Sequence, residues 1–272
     1  LAAESHVDRS IDAPGAFVGT NLVGTYVMLH AAFAFWDALD ADARARFRFT
    51  HVSTDEVFGH LGPEGTFDED SPYRPNSPYA ASKAAADLMC RACHRTFGLD
   101  VCITRCSNNY GPYQFPEKLI PLMLANALED RPLPIYGDGR QVRDWLHVGD
   151  HCRAIDLVMR RGKAGRVYNV GGNNEWANLD LVMLLLQKLQ KPESLIAYVK
   201  DRPGHDRRYA IVAERIRNEL GWEPRHAFPE GLQLTVDWYL EHRSWWETIR
   251  SGAYRDYYDQ MYGADGRHAG RD

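Results

Sequence analysis

The chain has 272 residues, 44% hydrophobic and 25% charged, with a formal net charge of −5. That balance suits a globular fold with a real core, in one or two domains. It gives no basic footprint for nucleic acid or an acidic membrane surface, and no apolar run is expected to reach the roughly 20 residues of a bilayer span. The opening residues, Leu1 to His6, have neither a basic segment nor a long apolar stretch, so no secretory signal is expected. Five irregularly spaced cysteines argue against a disulfide framework and for a reducing, cytoplasmic setting.

Leu1 falls in what reads as a strand end or loop, so the chain is expected to enter a domain partway. Residues 16–36 carry apolar side chains at helical spacing and predict a long helix. Residues 46–54, "RFRFTHVST", are β-branched and aromatic and predict a strand. A second long helix is predicted over 77–98, after a Pro-rich entry and before Gly98. Residues 99–112 predict a strand running into a polar loop. Strand, helix, strand in this order implies an α/β fold, a mostly parallel sheet with crossover helices on both faces.

Beyond residue 112 the rhythm loosens. Helices are expected at 118–130, 151–162, 178–190 and 214–222, with short strands between them. One final amphipathic helix is expected over 229–249, and the polar 263–272 tail is expected to fray. This suggests residues 1–112 as the remainder of a cofactor-binding domain, and 113–272 as mainly a smaller mixed α/β substrate domain, partly interleaved with the first. Cys90-x-x-Cys93 and Cys102-x-x-x-Cys106 have spacings that zinc could use. Yet the first pair sits one helical turn apart in an amphipathic stretch and the second in an apolar strand, so no metal is expected.

Two constellations carry chemistry. Tyr79 and Lys83 lie four apart on a predicted helix and so share a face. An ammonium there would lower the phenol from about 10 toward neutrality, letting it take a proton from an alcohol as hydride leaves the same carbon. On its own such a pair is common on surface helices. Upstream, the strand at 46–54 ends in Ser53 and Thr54, and Asp55 and Glu56 follow it. A hydroxyl there can bond the reacting oxygen. The acids, taken alone, would read as a solvated turn.

Together with "LAAESHVDRSI", "STDEVFG", "SPYAASKA", "RCSNNYGPYQFPEKLIP", "YGDGRQVRDWLHVGDH", "YNVGGNNEWANLD" and "DRPGHDRRYAI", these residues resemble the nucleotide-sugar 4,6-dehydratases of the extended short-chain dehydrogenase/reductase superfamily. The resemblance covers nearly the whole chain. It implies a Rossmann-like sheet, NAD as cofactor, dTDP-glucose as substrate, and a homodimer packing the two long helices. It implies Glu56 as base at C5, Asp55 as acid at O6, Thr54 and Tyr79 at O4, and Lys83 beside Tyr79. The cofactor's hydride then returns to C6, giving a 4-keto-6-deoxy sugar. Asp55 must therefore hold its proton at neutral pH, and burial and a neighbouring carboxylate both push that way. Related epimerases lack the Asp-Glu pair.

The resemblance further places Ala2, Ala3, Ser5, Cys106 and Asn108, with Tyr79 and Lys83, around the cofactor. His6, Asn109, Glu117, Lys118, Leu119, Arg143, Asn178, Arg202, His205 and Tyr209 fall on sugar-nucleotide positions, with Asp8 near the sugar. Arg143 suits a diphosphate, because a guanidinium fork matches phosphate oxygens. One family feature has no counterpart: the G-x-x-G-x-x-G turn that approaches the pyrophosphate. Roughly three βα units, on the order of 80 residues, are therefore expected to be missing. That would leave an apolar sheet edge exposed, weaken NAD binding and put activity in question. The alternatives are another NAD-dependent nucleotide-sugar epimerase or decarboxylase, or a non-catalytic sugar-nucleotide-binding remnant.

Overall fold

The computed structural model describes residues 2–251 together with Asp256 and Gln260. The tail expected to fray lies outside the described residues. The first elements are α1 (Val7–Asp12), which sequence patterning did not separate from a loop, and α2 (Pro14–Phe17). A π-helical stretch (Val18–Val23) and α3 (Gly24–Asp37) continue α2 without interruption. Within the π-helical stretch Asn21 is buried. Its side chain bonds the Glu4 backbone at both N–H and C=O and Ser82 Oγ at 2.9 Å. The segment at the head of the chain is thereby fastened to the helix that carries Tyr79.

Helix α4 (Ala41–Arg46), capped by Asp40, leads into β1 (Phe49–Thr54). A 3₁₀ turn (Asp55–Phe58) follows, and then α5 (Pro78–Phe97). Ser77 caps α5 by accepting from the Ala80 N–H, Pro78 occupies its first turn, and Gly98 ends it in the left-handed region at φ 76°. Next come β2 (Val101–Cys106), β3 (Asn108–Tyr110), α6 (Leu119–Leu128), β4 (Leu133–Tyr136), β5 (Val142–His147) and α7 (Val148–Arg161). They are followed by β6 (Val167–Val170), β7 (Glu175–Ala177), α8 (Asn178–Leu189), β8 (Ile196–Val199) and α9 (Glu214–Leu220). The single helix expected over 229–249 is two, α10 (Phe228–Glu241) and α11 (Arg243–Ile249). His242, at φ −115° and ψ 39°, breaks the helical path between them, and its ring bonds the Trp238 carbonyl.

Strands β1, β2 and β6 form a parallel sheet in that order, with Thr54 level with Cys106. Side chains alternate across it. Val101 and Ile103 pack with Cys90 and Cys93 of α5, while Cys102 packs with Ala154 and Val158 of α7. Helices thus cover both faces, as a parallel sheet requires. A second sheet joins β3 and β5 in parallel with β7 antiparallel, and β4 pairs with β8 in a third. The largest core cluster lies here, built from α6, α8 and α10 around Leu124, Leu181, Leu185, Phe228 and Val236. Each such buried side chain contributes about 1.5–3 kcal/mol.

Strand β5 uses its two faces differently. Arg143 and Trp145 look toward one cavity. Asp144, between them, accepts from the backbone N–H groups of Gly172 (2.9 Å) and Asn174 (2.7 Å), and Leu146 enters the core beneath α7.

The expectation that no apolar run approaches membrane-spanning length is corrected. The continuous helical stretch Pro14–Asp37, 24 residues, is long and apolar enough by length and composition, and little of it is buried. Its composition alone would suit a bilayer, yet one face packs against α5. Val18, Val23, Tyr26, Val27, Met28 and Phe35 are exposed on the rest.

Candidate active site

Because β1 and β2 are parallel and end level with each other, their C-terminal tips bring Thr54 and Cys106 together. The 3₁₀ turn after β1 swings the next two residues apart: Asp55 is buried, while Glu56 lines an open cavity. Thr54 caps the turn by accepting from the Glu56 N–H at 3.3 Å, and its hydroxyl also lies 3.3 Å from Asp55 Oδ1. From α5, Tyr79 meets Thr54 in a side-chain hydrogen bond. Lys83, one turn further on, donates to the Val52 carbonyl at 2.6 Å.

Burial first, and the Glu56 charge second, push the Asp55 carboxyl well above the usual carboxylate range. Asp55 Oδ2 has no hydrogen-bond partner among the described residues. Burial also raises Glu56, against the pull of Arg202, Arg143 and Lys118. Tyr79 departs from the sequence expectation. Rather than being lowered by Lys83, its phenol is pushed well above 10 by burial, then by the Glu56 carboxylate. The physical reason is that desolvation dominates, while Lys83, itself lowered by burial, is engaged with Val52.

The cavity beside Glu56 runs between α1, the start of α6, β4, β5 and the segment after β8. His6, Glu117, Lys118, Leu119, Arg143, Asn178, Arg202, His205 and Tyr209 all line it, as the sequence reading expected of sugar-nucleotide residues. Arg143 is buried, stacked over Tyr209 at 4.4 Å, with Nη2 donating to the Asp206 carbonyl at 2.9 Å. His205 is held by Asp201 at 2.5 Å, and burial and then Arg202 and Arg143 lower it to about 4. Four buried polar atoms of the lining lack a partner among the described residues: Asn108 Oδ1, Trp145 Nε1, Asn178 Oδ1 and Arg202 Nε. Such orphans suit a polar ligand, since buried polar groups are normally paired.

A second cleft lies on the other side of Tyr79 and Lys83, along the edge of β1. Ala2, Ala3, Ser5, Tyr79, Lys83 and Cys106 line it, with Asn21, Gly24 and Thr25 opposite. Small side chains at its head and the ammonium at its foot fit a dinucleotide whose reactive end reaches Tyr79.

Two neighbouring asparagines lie elsewhere than expected. Asn108, expected at the cofactor, lines the substrate-side cavity. Asn109, expected at the substrate, is turned the other way: it donates to the Ser107 carbonyl at 3.0 Å and meets His151 Nδ1 at 2.9 Å. Adjacent strand residues point to opposite faces, so β3 cannot present both to one ligand. Thr54 lines neither cavity and reaches the site through Tyr79 and Asp55. The sequence reading missed Tyr136, Trp145 and Asp206. Trp145 could have been found from the period of two with Arg143; Asp206, which accepts from the Tyr209 hydroxyl and from Asn76, carried no signal.

The family model for GDP-mannose 4,6 dehydratase matches residues 1–235. A dTDP-glucose 4,6-dehydratase of Xanthomonas campestris pv. campestris is 58% identical over 264 residues, covering 94% of this chain and 75% of its own. A solved dTDP-glucose 4,6-dehydratase from Streptomyces venezuelae, with NAD and TYD bound, is 51% identical with a TM-score of 0.86, over 92% of this chain and 74% of that one. A UDP-glucose 4-epimerase from Thermotoga maritima shares the architecture at a TM-score of 0.80 but only 27% identity, over 89% and 76%.

Proposed function

Since the chain belongs to the dTDP-glucose 4,6-dehydratase family, NAD-dependent hydro-lyases, we propose that Glu56 is its C5 base, Asp55 its acid at O6, and Tyr79 with Thr54 its proton relay at O4. The observation that carries this is the 3₁₀ turn after β1. It sets one carboxyl into the substrate cavity and buries the other beside the Thr54–Tyr79 hydrogen bond. NAD, when bound in the cleft, would supply the hydride acceptor for sugar C4 and the hydride donor for C6. Ala2, Ala3, Ser5, Lys83 and Cys106 hold it there.

Each residue then has a definite task. Arg143 and Arg202 bind the diphosphate from the cavity's cationic wall. The C5 proton, acidified once C4 is a ketone, passes to Glu56, whose carboxylate is the only one of the pair exposed to the cavity. Asp55 keeps its proton because burial and Glu56 oppose its ionisation, and it gives that proton to the departing O6 hydroxyl. Lys83, fixed by the Val52 carbonyl, keeps an ammonium one turn from Tyr79.

Residues 1–112 serve the cofactor and 113–272 mainly the substrate; pairing of β6 with β2, and α7 packing on that sheet, support interleaving. The enzyme works in the cytoplasm as a homodimer. The free cysteines support the first, and the exposed apolar faces of α3 and α5 the second. The test is incubation with dTDP-glucose. A 4-keto-6-deoxy product, read as alkali-induced absorbance, is expected, and Glu56→Gln should abolish both it and solvent deuterium at C5. Recovery of a C4 epimer alone would refute dehydration, and unchanged elimination by Glu56→Gln would refute the base assignment.

A further inference from the structure

Asp8, on α1, sends its two carboxylate oxygens to different walls of the substrate cavity. Oδ1 takes Arg202 Nη1 at 3.0 Å, from the segment after β8. Oδ2 takes the Tyr136 hydroxyl at 3.0 Å, from the end of β4. The side chain is buried, and both partners line the cavity beside it. Burial alone would raise this carboxyl, but Arg202 and His6 outweigh it and hold it below the ordinary range, so it is charged at neutral pH.

A fixed anion inside an anion-binding cavity works against ligand phosphate. It is within bonding distance of one of the two arginines, and it leaves Arg202 Nε, buried and unpartnered among the described residues, to meet a ligand. Its other oxygen fixes the ring of Tyr136 at the apolar end of the same cavity, beside Pro134, Ile135, Leu122 and Met123. Tyr136 also packs edge-on against His205 at 5.9 Å. One carboxylate therefore weakens recognition of bare phosphates while orienting the surface that faces the rest of the nucleotide.

We infer that Asp8 is a specificity-determining residue, which makes the cavity discriminate a nucleoside diphosphate from a diphosphate alone. This rests on the nucleotide-sugar reading of the site. Like charges repel more strongly at the effective dielectric of a protein site than in bulk water, and less when screened. Deleting the Asp8 charge should thus tighten phosphate binding by about tenfold. Losing the anchor of Tyr136 should weaken the nucleoside part by a few-fold, less than a whole hydrogen bond to a charged group because the ligand feels it only through the ring.

The test is calorimetric titration of the full chain with inorganic pyrophosphate and with dTDP at neutral pH and fixed salt. Asp8→Asn is expected to bind pyrophosphate about tenfold tighter while the dTDP-to-pyrophosphate affinity ratio falls. Tyr136→Phe, which keeps the carboxylate, is expected to leave pyrophosphate unchanged and weaken dTDP a few-fold. Parallel weakening of both ligands by Asp8→Asn would make Asp8 a structural strut and overturn the inference, as would no change in either. If Asp8→Asn does not fold, Tyr136→Phe decides: equal affinities to wild type for both ligands overturn it. Failure of the wild-type chain to bind dTDP any better than pyrophosphate would instead refute the nucleotide-sugar reading itself.

Discussion

Replacing Asp55 by Asn should make the protein more stable, and increasingly so as pH rises. The carboxyl is buried, has one oxygen without a partner among the described residues, and lies next to the Glu56 charge. Its folded pKa therefore exceeds the reference value of 3.8. The sign follows from linkage. Between the reference value and the raised folded value, the folded state binds more protons than the unfolded state, so stability falls as pH climbs through that window. Below it, both states are protonated and nothing is lost. The slope for one group is about 1.4 kcal/mol per pH unit. Asn has the same shape and no charge, so the variant escapes that slope. Its advantage over wild type should grow from pH 5 to pH 7, by at most the full slope over those two units, about 3 kcal/mol. At about 2–4 °C per kcal/mol for a chain of this size, the ceiling on the change in melting temperature is about 10 °C. Any constant cost of accommodating the amide shifts both pH values alike, so the readout is the difference between them. Urea unfolding and thermal melts of both proteins at the two pH values measure it. A pH-independent difference would refute the assignment of Asp55 as a carboxyl held protonated by burial.

Three further outcomes follow from particular contacts. Tyr79→Phe removes the hydroxyl that meets Thr54 and should lower turnover of dTDP-glucose at least about a hundredfold with dTDP affinity, by calorimetry, unchanged. Gly172→Ala would place a Cβ 2.0 Å from the Trp145 carbonyl oxygen; backbone cannot yield as a side-chain end can, so a loss of about 3 kcal/mol or more is expected in urea unfolding. Val27→Glu puts a charge on the exposed apolar face of α3 and should convert the proposed dimer to monomer in sedimentation, with the circular dichroism spectrum unchanged.

Sequence showed the long elements well because their signals are local. Ser77, Pro78 and Gly98 bracket α5, and the β-branched, aromatic run of β1 ends in its own polar cluster. The fold gathers Glu56 and Arg143 on one cavity and Ala2 and Lys83 on another cleft. What failed depended on direction or on neighbours distant in sequence. Asn108 and Asn109 differ by one position and hence by one face of β3. The Tyr79 shift depends on burial and on Glu56, which an i,i+4 spacing does not register. The break between α10 and α11 falls at His242 inside an unbroken amphipathic pattern. Helix α1 is too short for periodicity to reveal, yet it carries the carboxylate that joins Arg202 to Tyr136.

The division of labour along β5 bears on redesign. Arg143 and Trp145 face the ligand, Asp144 fastens residues 172 and 174, and Leu146 fills the core on the far side. None of these four positions is neutral, so a library built on them would lose either the fold or the site. Residues 200–209 are different. Their first half is tied to the body through side chains, such as Asp201 to Gln141 and Arg202 to Asp8, and backbone bonds to Val142 and Leu61 hold only residues 207–209. Altered nucleotide preference is best sought in that segment, where a new side chain can meet a new ligand without unseating a sheet.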